Sequence, residues 1–459
     1  MTPRRAHVFG LGVTGRAVVD WLLKNGWMVI VSDDMVSESL EAMAAELKGS
    51  GAEVLLGGHR GALGRTVDLV VLSPGIPPAT PAVQERIRQG AEVIGEIELG
   101  WRSSQGTFAA VTGANGKSTT TALLGEIFRL SRRKTFTVGN IGVPLIEIAD
   151  ATDNNSLISL EVSSYQLETI VNFRPYVAAL LNITPDHLER HGSLEGYGRA
   201  KAKIWQNQTD SDWLVFNADD PMVVNLIQTA KSTKVPFSLA GPLTMGGWIE
   251  PVGRTTVRPT DTPSEFVFKL PNHDDFTIPR GLSSLPGRHN EANILAAVLM
   301  AKLCGISNEA VNQGVSSFKG LSHRLEMIRE FEGVTYINDS KATNIDAGRW
   351  ALEAVKAPVI LLAGGRPKKG GFQGIRHSIL KKVKIIVTFG EGASEIERDL
   401  GDLVETVHVA DLAAALTVAR RLAVAGDTIL LSPLCASFDQ FQSFEQRGDV
   451  FRQLVRDLK

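Results

Sequence analysis

The chain has 459 residues, 43% of them apolar and 21% charged, with a formal net charge of -2. That length is too great for one core and predicts about three domains, while the near-neutral balance argues against nucleic acid or an anionic membrane surface as the main partner. The two cysteines, Cys304 and Cys435, lie far apart, which excludes a disulfide scaffold and reads as two small buried hydrophobes; no apolar run approaches the ~20 residues of a membrane span, so a cytoplasmic protein is expected.

The first segment reads strand, glycine turn, helix, strand: HVFG, then Leu11-Gly12-Val13-Thr14-Gly15, an apolar-periodic helix to Leu23, then MVIVSDD. Gly10-x-Gly12-x-x-Gly15 fits a dinucleotide-binding turn, and Asp33, eighteen residues on, stands where a ribose-binding acid would sit. A further strand, DLVVLSPGIP, ends in the turn Ser73-Pro74-Gly75. Taken alone, this segment suits a dehydrogenase as well as any other nucleotide-binding protein.

A second nucleotide signal changes that balance. Strand TFAAVTG runs into Gly113-Ala114-Asn115-Gly116-Lys117-Ser118-Thr119. Here glycines let main-chain N–H groups approach phosphate oxygens, Lys117 can reach the outer phosphates, and the Ser118 hydroxyl can ligate magnesium. A helix from Thr119 would add its positive N-terminus. Val111 occupies the place of the first glycine in the strict pattern, so the loop is the shortened form G-x-x-G-K-S; an ordinary glycine turn with an exposed lysine is the plainer alternative. About 45 residues further, LISLEVSS carries Glu161 on a strand, a position from which phosphate-loop enzymes hold a metal. His187 and His191 follow in a polar loop, before a helix with Lys201 and Lys203. Ser118, Glu161 and His187 make a candidate magnesium site, against the blander readings of a capping histidine and, for Lys201, a solvated helix face. In GRHNEAN, Asn290 and Asn293 lie one turn apart and could read an adenine edge or cap a helix.

From about Leu321 four apolar strands, VTYIND, PVILLAGG, KIIVTFG and DTILLSP, alternate with helical patterns, which predicts a parallel α/β sheet with its polar loops at the strand carboxyl ends. Those loops hold Asp339, Lys341 and Thr343, then Arg366, Lys368 and Lys369, then Ser437 and Phe438, a basic and hydroxyl-rich edge suited to an anionic substrate.

In this order TGANGKST, LEVSSYQLE, NITPDHLERHG, GRHNEAN, INDSKATN and LLSPLCASFDQFQSFEQRG closely resemble the Mur ligases, over essentially the whole chain. The resemblance implies an α/β protein of three domains: a Rossmann-like N-terminal domain (1–103) for the UDP part of the substrate, a P-loop central domain (104–320) for ATP, and a Rossmann-like C-terminal domain (321–459) for the amino acid. It replaces the dehydrogenase reading with an ATP-dependent ligase of peptidoglycan precursor synthesis that joins D-glutamate to UDP-N-acetylmuramoyl-L-alanine through an acyl phosphate. By position, Val13, Thr14, Asp33, Ser73, Pro74, Gly75 and Asn140 would meet the UDP substrate. ATP would lie on Gly113, Ala114, Asn115, Gly116, Lys117, Ser118 and Thr119, with Asn290, Asn293, Arg324 and Asp339. Lys341, Thr343, Lys368, Ser437 and Phe444 would grip D-glutamate. The resemblance makes Lys117, Glu161, His187 and Lys201 the catalytic set and Ser118, Glu161, His187 and Lys201 the holders of two magnesium ions, with Lys201 as a carbamate. No DNPR-type sequence of the relatives that add a diamino acid is present, which favours glutamate, and a folylpolyglutamate synthetase, which shares the shortened loop, would not need the N-terminal segment. A monomer whose C-terminal domain closes on the other two is expected.

Overall fold

The computed structural model describes residues 4–250, 264–271, 274–368 and 370–458; Lys369 lies outside them. The chain divides into two compact units, Met1–Leu282 with Ala292–Ser317, and Ser283–Glu291 with Phe318–Lys459. Three sheets carry the α/β architecture. Among the described residues no helix is long and apolar enough to cross a membrane.

In the first unit, β1 (Arg5–Phe9), β2 (Met28–Asp33), β3 (Glu53–Leu56), β4 (Leu69–Leu72) and β5 (Glu92–Gly95) form a parallel sheet of order β3-β2-β1-β4-β5. Successive residues of β1 point to opposite faces. Ala6 and Val8 pack with Val18, Leu22 and Val31 on one side, while Phe9 packs with Ile30, Val70 and Leu72 on the other. Both faces are covered, which is why these strands read as continuous apolar runs. Helix α1 (Val13–Lys24) follows the glycine turn. A Cβ on Gly15 would stand 1.9 Å from the Gly10 carbonyl oxygen, so the helix can sit this close to the turn only with glycine there. Helices α2 (Glu38–Gly49), α3 (Pro81–Arg88) and α4 (Glu96–Ser103) complete this layer.

The second sheet belongs to the same unit. Its strands are β6 (Thr107–Thr112), β7 (Thr135–Gly139), β8 (Leu157–Glu161), β9 (Val177–Leu180), β10 (Trp213–Asn217), β11 (Thr233–Ser238), β12 (Gly246–Ile249), β13 (Glu265–Lys269) and β14 (Phe276–Pro279), in the order β14-β13-β12-β11-β10-β9-β6-β8-β7. Pairing is parallel from β7 to β12 and antiparallel at the β12-β13-β14 end. Helix α5 (Lys117–Leu130) leaves the end of β6 and starts two residues earlier than the sequence suggested, directly after Gly116, whose φ of 86° turns the chain.

Polar and close contacts join the two layers. Glu98 accepts N–H groups of Val171, Asn172 and Phe173 at 2.8–3.0 Å and pairs with Arg102 at 2.7 Å. Glu96 is buried and accepts the Ile146 N–H at 2.8 Å. Asp150 takes Trp21 Nε1 and Lys24 Nζ. A Cβ on Gly100 would stand 2.7 Å from the Leu145 side chain.

The second unit holds β15 (Glu326–Phe331), β16 (Val334–Asn338), β17 (Val359–Gly364), β18 (Val383–Phe389), β19 (Glu405–His408) and β20 (Thr428–Leu434), in the order β15-β16-β20-β17-β18-β19. The four strands expected from sequence are its centre and run parallel. Two edge strands extend it, and β15 is antiparallel, which departs from the all-parallel expectation. Cys435 is buried and Cys304 partly so; both are free thiols.

Candidate active site

Strand register assembles the centre of the first unit. In the parallel pairing Val111 stands opposite Glu161, and Thr112 opposite Leu180. The carboxyl ends of β6, β8 and β9 therefore meet at the phosphate loop, where open α/β sheets bind ligands. Asn182, just past β9, accepts the Asn115 N–H at 2.8 Å and returns its own amide to the Asn115 carbonyl at 3.0 Å. Asn115 Nδ2 reaches Thr184 Oγ1 at 3.3 Å. Gly116 has no room for a side chain, since a Cβ would lie 2.3 Å from Asn293 Oδ1. That oxygen accepts the Thr120 hydroxyl at 3.2 Å.

Two lysines converge on one carbonyl. Lys117 Nζ donates to Gly113 O (3.0 Å) and Ala114 O (2.9 Å), and Lys201 Nζ donates to Gly113 O (2.7 Å). Lys201 is 1% exposed, with its Nζ 4.4 Å from the centroid of the Tyr197 ring. Burial, then the neighbouring Lys117 charge, push the Lys201 ammonium well below its usual range, against the opposing pull of Asp186 and Glu161. The result is an amine that loses its proton far more readily than a solvated lysine.

Glu161 is 1% exposed. Its Oε1 accepts the Asn140 amide at 2.9 Å, and Asn140 also donates its main-chain N–H to the Glu161 carbonyl at 2.9 Å. Oε2 is buried with no hydrogen-bond partner among the described residues. A carboxylate oxygen in that state is costly unless a cation completes it. Ser118 is buried in the first turn of α5, the helix that leaves β6 next to the Glu161 strand. His187 takes a left-handed backbone (φ 53°), with Nδ1 3.0 Å from the Tyr165 hydroxyl and Nε2 3.7 Å from Asp186 Oδ2. Hydroxyl, carboxylate and imidazole are a donor set that a magnesium ion accepts.

At the first sheet, Asp33 Oδ2 accepts the Leu11 N–H (2.7 Å) and Oδ1 the Met35 N–H (2.8 Å). The acid thus ties the glycine turn to the end of β2. Ser73 Oγ donates to the Gly10 carbonyl at 3.1 Å, while Val13 is 73% exposed at the mouth of the turn.

In the second unit, Asp339 is buried, accepts the Leu325 N–H and the Ser432 hydroxyl at 3.1 Å each, and is pushed up to about 7 by burial. Lys341 Nζ lies 3.6 Å from the Phe444 ring centroid, so two of the residues assigned to amino-acid binding meet. Thr343 donates its N–H to the Lys341 carbonyl at 2.8 Å; Ser437 is buried and Lys368 half-buried. Arg447 was not singled out from sequence. Its guanidinium is fully buried and bonds Ser340 Oγ (3.0 Å), Ser340 O (2.8 Å) and Cys435 O (3.2 Å), tying the loops after β16 and β20 together. Asn290 Nδ2 donates to the Pro286 carbonyl at 2.7 Å.

Against known families, a Mur ligase MurD-like N-terminal domain matches residues 4–95, a Mur ligase middle domain residues 111–301, and a Mur ligase glutamate ligase domain residues 323–435. The chain belongs to the Mur ligases. Among its relatives, the UDP-N-acetylmuramoylalanine--D-glutamate ligase of Pelotomaculum thermopropionicum is 40% identical over 460 residues, covering 100% of this chain and 98% of that protein. The enzyme of the same description from Myxococcus xanthus is also 40% identical, over 100% and 99% of the two chains. UDP-N-acetylmuramate-alanine ligase from Thermotoga maritima superposes with a TM-score of 0.61 at 19% identity, covering 99% of this chain and 100% of that one, a likeness of fold.

In this Mur ligase, the side chains that sequence reading missed are mostly partners of those it found. Tyr165, Tyr197 and Arg447 touch His187, Lys201 and the Ser340 loop only through folding. Tyr165 and Arg447 lie within LEVSSYQLE and LLSPLCASFDQFQSFEQRG, but nothing in a local pattern pairs Tyr165 with a histidine 22 positions away or Arg447 with the loop at Ser340.

Proposed function

We propose that this Mur ligase joins D-glutamate to UDP-N-acetylmuramoyl-L-alanine with hydrolysis of ATP to ADP and phosphate, in peptidoglycan precursor synthesis. The end-to-end 40% identity to D-glutamate ligases supports the substrates. One geometric observation carries the chemistry: a buried carboxylate oxygen of Glu161 with no hydrogen-bond partner among the described residues, on the strand next to a lysine-bearing phosphate loop. A carboxylate does not condense with an amine at neutral pH. The substrate carboxylate attacks the γ-phosphorus, ADP leaves, and the acyl phosphate is taken by the D-glutamate amine, releasing phosphate and a proton. Lys117 and the loop N–H groups hold the phosphates and offset the charge that builds during transfer. Magnesium, when bound by Ser118, Glu161 and His187, supplies charge neutralisation on the phosphate oxygens. Lys201, whose ammonium burial makes easier to deprotonate, adds carbon dioxide as the free amine, loses a proton and becomes a carbamate, a carboxylate-like ligand for a second ion. Asn290, Asn293, Arg324 and Asp339 serve ATP; Val13, Thr14, Asp33, Ser73, Pro74, Gly75 and Asn140 serve the UDP substrate; Lys341, Thr343, Lys368, Ser437 and Phe444 serve D-glutamate. The protein acts as a monomer in the cytoplasm.

The test is phosphate release from ATP and magnesium with UDP-N-acetylmuramoyl-L-alanine, comparing D-glutamate with L-glutamate, L-lysine, diaminopimelate and no acceptor. Release that needs both the nucleotide sugar and D-glutamate is expected; release with another acceptor alone overturns the substrate assignment. His187→Ala should abolish turnover with the fold retained, and retained activity would refute its place at the metal.

A further inference from the structure

A line of polar side chains crosses the first sheet without meeting any residue assigned above. Arg86, on α3, is fully buried, and no carboxylate pairs with it among the described residues. It donates to the carbonyls of Arg65 and Ala62, to Gln89 Oε1 (2.9 Å), and through Nε to His7 Nδ1 (3.2 Å). His7 Nε2 lies 2.7 Å from Ser32 Oγ, and Ser32 Oγ lies 2.8 Å from His59 Nδ1. All three are buried, and the Phe9 ring sits between the imidazoles, with centroids 4.0 Å from His7 and 4.8 Å from His59. The last atom, His59 Nε2, is buried with no hydrogen-bond partner among the described residues, 3.3 Å from Oδ2 of Asp34, a carboxylate 67% exposed in the loop after β2.

The direction of every hydrogen in this line follows from its first member. A guanidinium only donates, so His7 Nδ1 accepts. Burial, together with Arg86 and His59, pushes the His7 imidazole down to about 3, so the ring is neutral and its one hydrogen is on Nε2. That hydrogen goes to Ser32 Oγ, whose own hydrogen is left for His59 Nδ1. His59 then carries its hydrogen on Nε2, the atom 3.3 Å from Asp34 Oδ2.

We propose that Arg86, His7 and Ser32 form a relay that locks His59 as an Nε2–H donor, and that this donor positions Asp34 and the loop after β2 for the nucleotide-sugar substrate. The loop is placed for that task because β2 ends beside the glycine turn, to which Asp33 is bonded, at the carboxyl edge of the sheet next to the β1/β4 switch point. The substrate half of this inference rests on the function proposed above; the tautomer half does not. His7, Ser32, His59 and Arg86 are positioning residues.

The experiment is long-range ¹⁵N–¹H NMR of the histidine rings in the full-length protein, with His59→Gln to assign the signal, alongside steady-state kinetics of Ser32→Ala and Ser32→Thr. The wild type should show His59 as the Nε2–H tautomer. Ser32→Ala should lose that preference and raise KM for UDP-N-acetylmuramoyl-L-alanine by about tenfold while KM for ATP stays put, and Ser32→Thr should restore both. A His59 that carries Nδ1–H in the wild type, or a tautomer indifferent to Ser32→Ala, overturns the relay. Equal rises in both KM values, or none, overturn the positioning role. Phosphate release that needs no nucleotide sugar would instead refute the proposed function, and the NMR result would still decide the relay.

Discussion

Gly116→Ala tests the phosphate loop against a control that the same fold supplies. Gly116 has φ of 86° and Gly26, at the end of α1, has φ of 77°. An alanine at either position pays the left-handed backbone cost of about 1–2 kcal/mol. At Gly26 nothing among the described residues lies within 4 Å of the added Cβ, whereas at Gly116 the Cβ would stand 2.3 Å from Asn293 Oδ1. Asn293 is 4% exposed, so its amide cannot swing into solvent. Displacing it breaks the 3.2 Å bond from Thr120, a loss of about 1 kcal/mol. Gly116→Ala should therefore cost about 2–3 kcal/mol and Gly26→Ala about 1–2 kcal/mol. At roughly 2 °C per kcal/mol for a unit of this size, the first thermal transition should fall by about 4–6 °C and about 2–4 °C. Only Gly116→Ala should also raise KM for ATP. Scanning calorimetry and phosphate-release kinetics on the two variants decide the matter. Equal effects on both Tm and ATP affinity would show that the cradle is not shaped by the Asn293 contact.

Three further outcomes follow from buried charges. Burial raises Glu96 from 4.5 to about 7, so the folded chain binds the extra proton; the stability it contributes is complete below about pH 4.5 and is lost as pH rises through 7, by up to about 3 kcal/mol. Glu96→Gln, always neutral, should gain Tm relative to wild type between pH 5 and 8, and a pH-independent difference would refute this. Glu98→Ala strands the N–H groups of Val171, Asn172 and Phe173 and one side of Arg102, a loss of about 3 kcal/mol or more, read as a lower first transition in urea. Lys201→Gln should cut turnover at least about 100-fold with little change in Tm; wild-type activity should fall when carbon dioxide is stripped and return with bicarbonate, and indifference to carbon dioxide would exclude the carbamate.

Local patterns carried much of this molecule. The turn Gly10 to Gly15, the loop Gly113 to Thr119 and the acid at Glu161 were legible because each is a short run beside an apolar strand, and strand register alone then sets Glu161 next to the loop. The edge strands β15 and β19 were not, since their residues are largely part-exposed and lack the apolar run that marks a buried strand. The His7–Ser32–His59–Arg86 line was invisible for another reason. Its members lie 25 to 79 positions apart, and a histidine inside a β-strand looks like any other polar interruption until the neighbouring strands are in place.

The fastening between the first two sheets bears on how these ligases can be recombined. Glu98 grips the 171–173 turn, Glu96 the Ile146 amide, and Trp21 with Lys24 the carboxylate of Asp150. A chimera cut at residue 103 would exchange Glu96 and Glu98 but leave the N–H donors they accept from on the host, stranding buried carboxylates on one side and main-chain amides on the other. A transplant that is to survive must bring residues 145–151 and 171–173 along with the first hundred. The N-terminal module is thus inherited with part of its neighbour, not as a cassette.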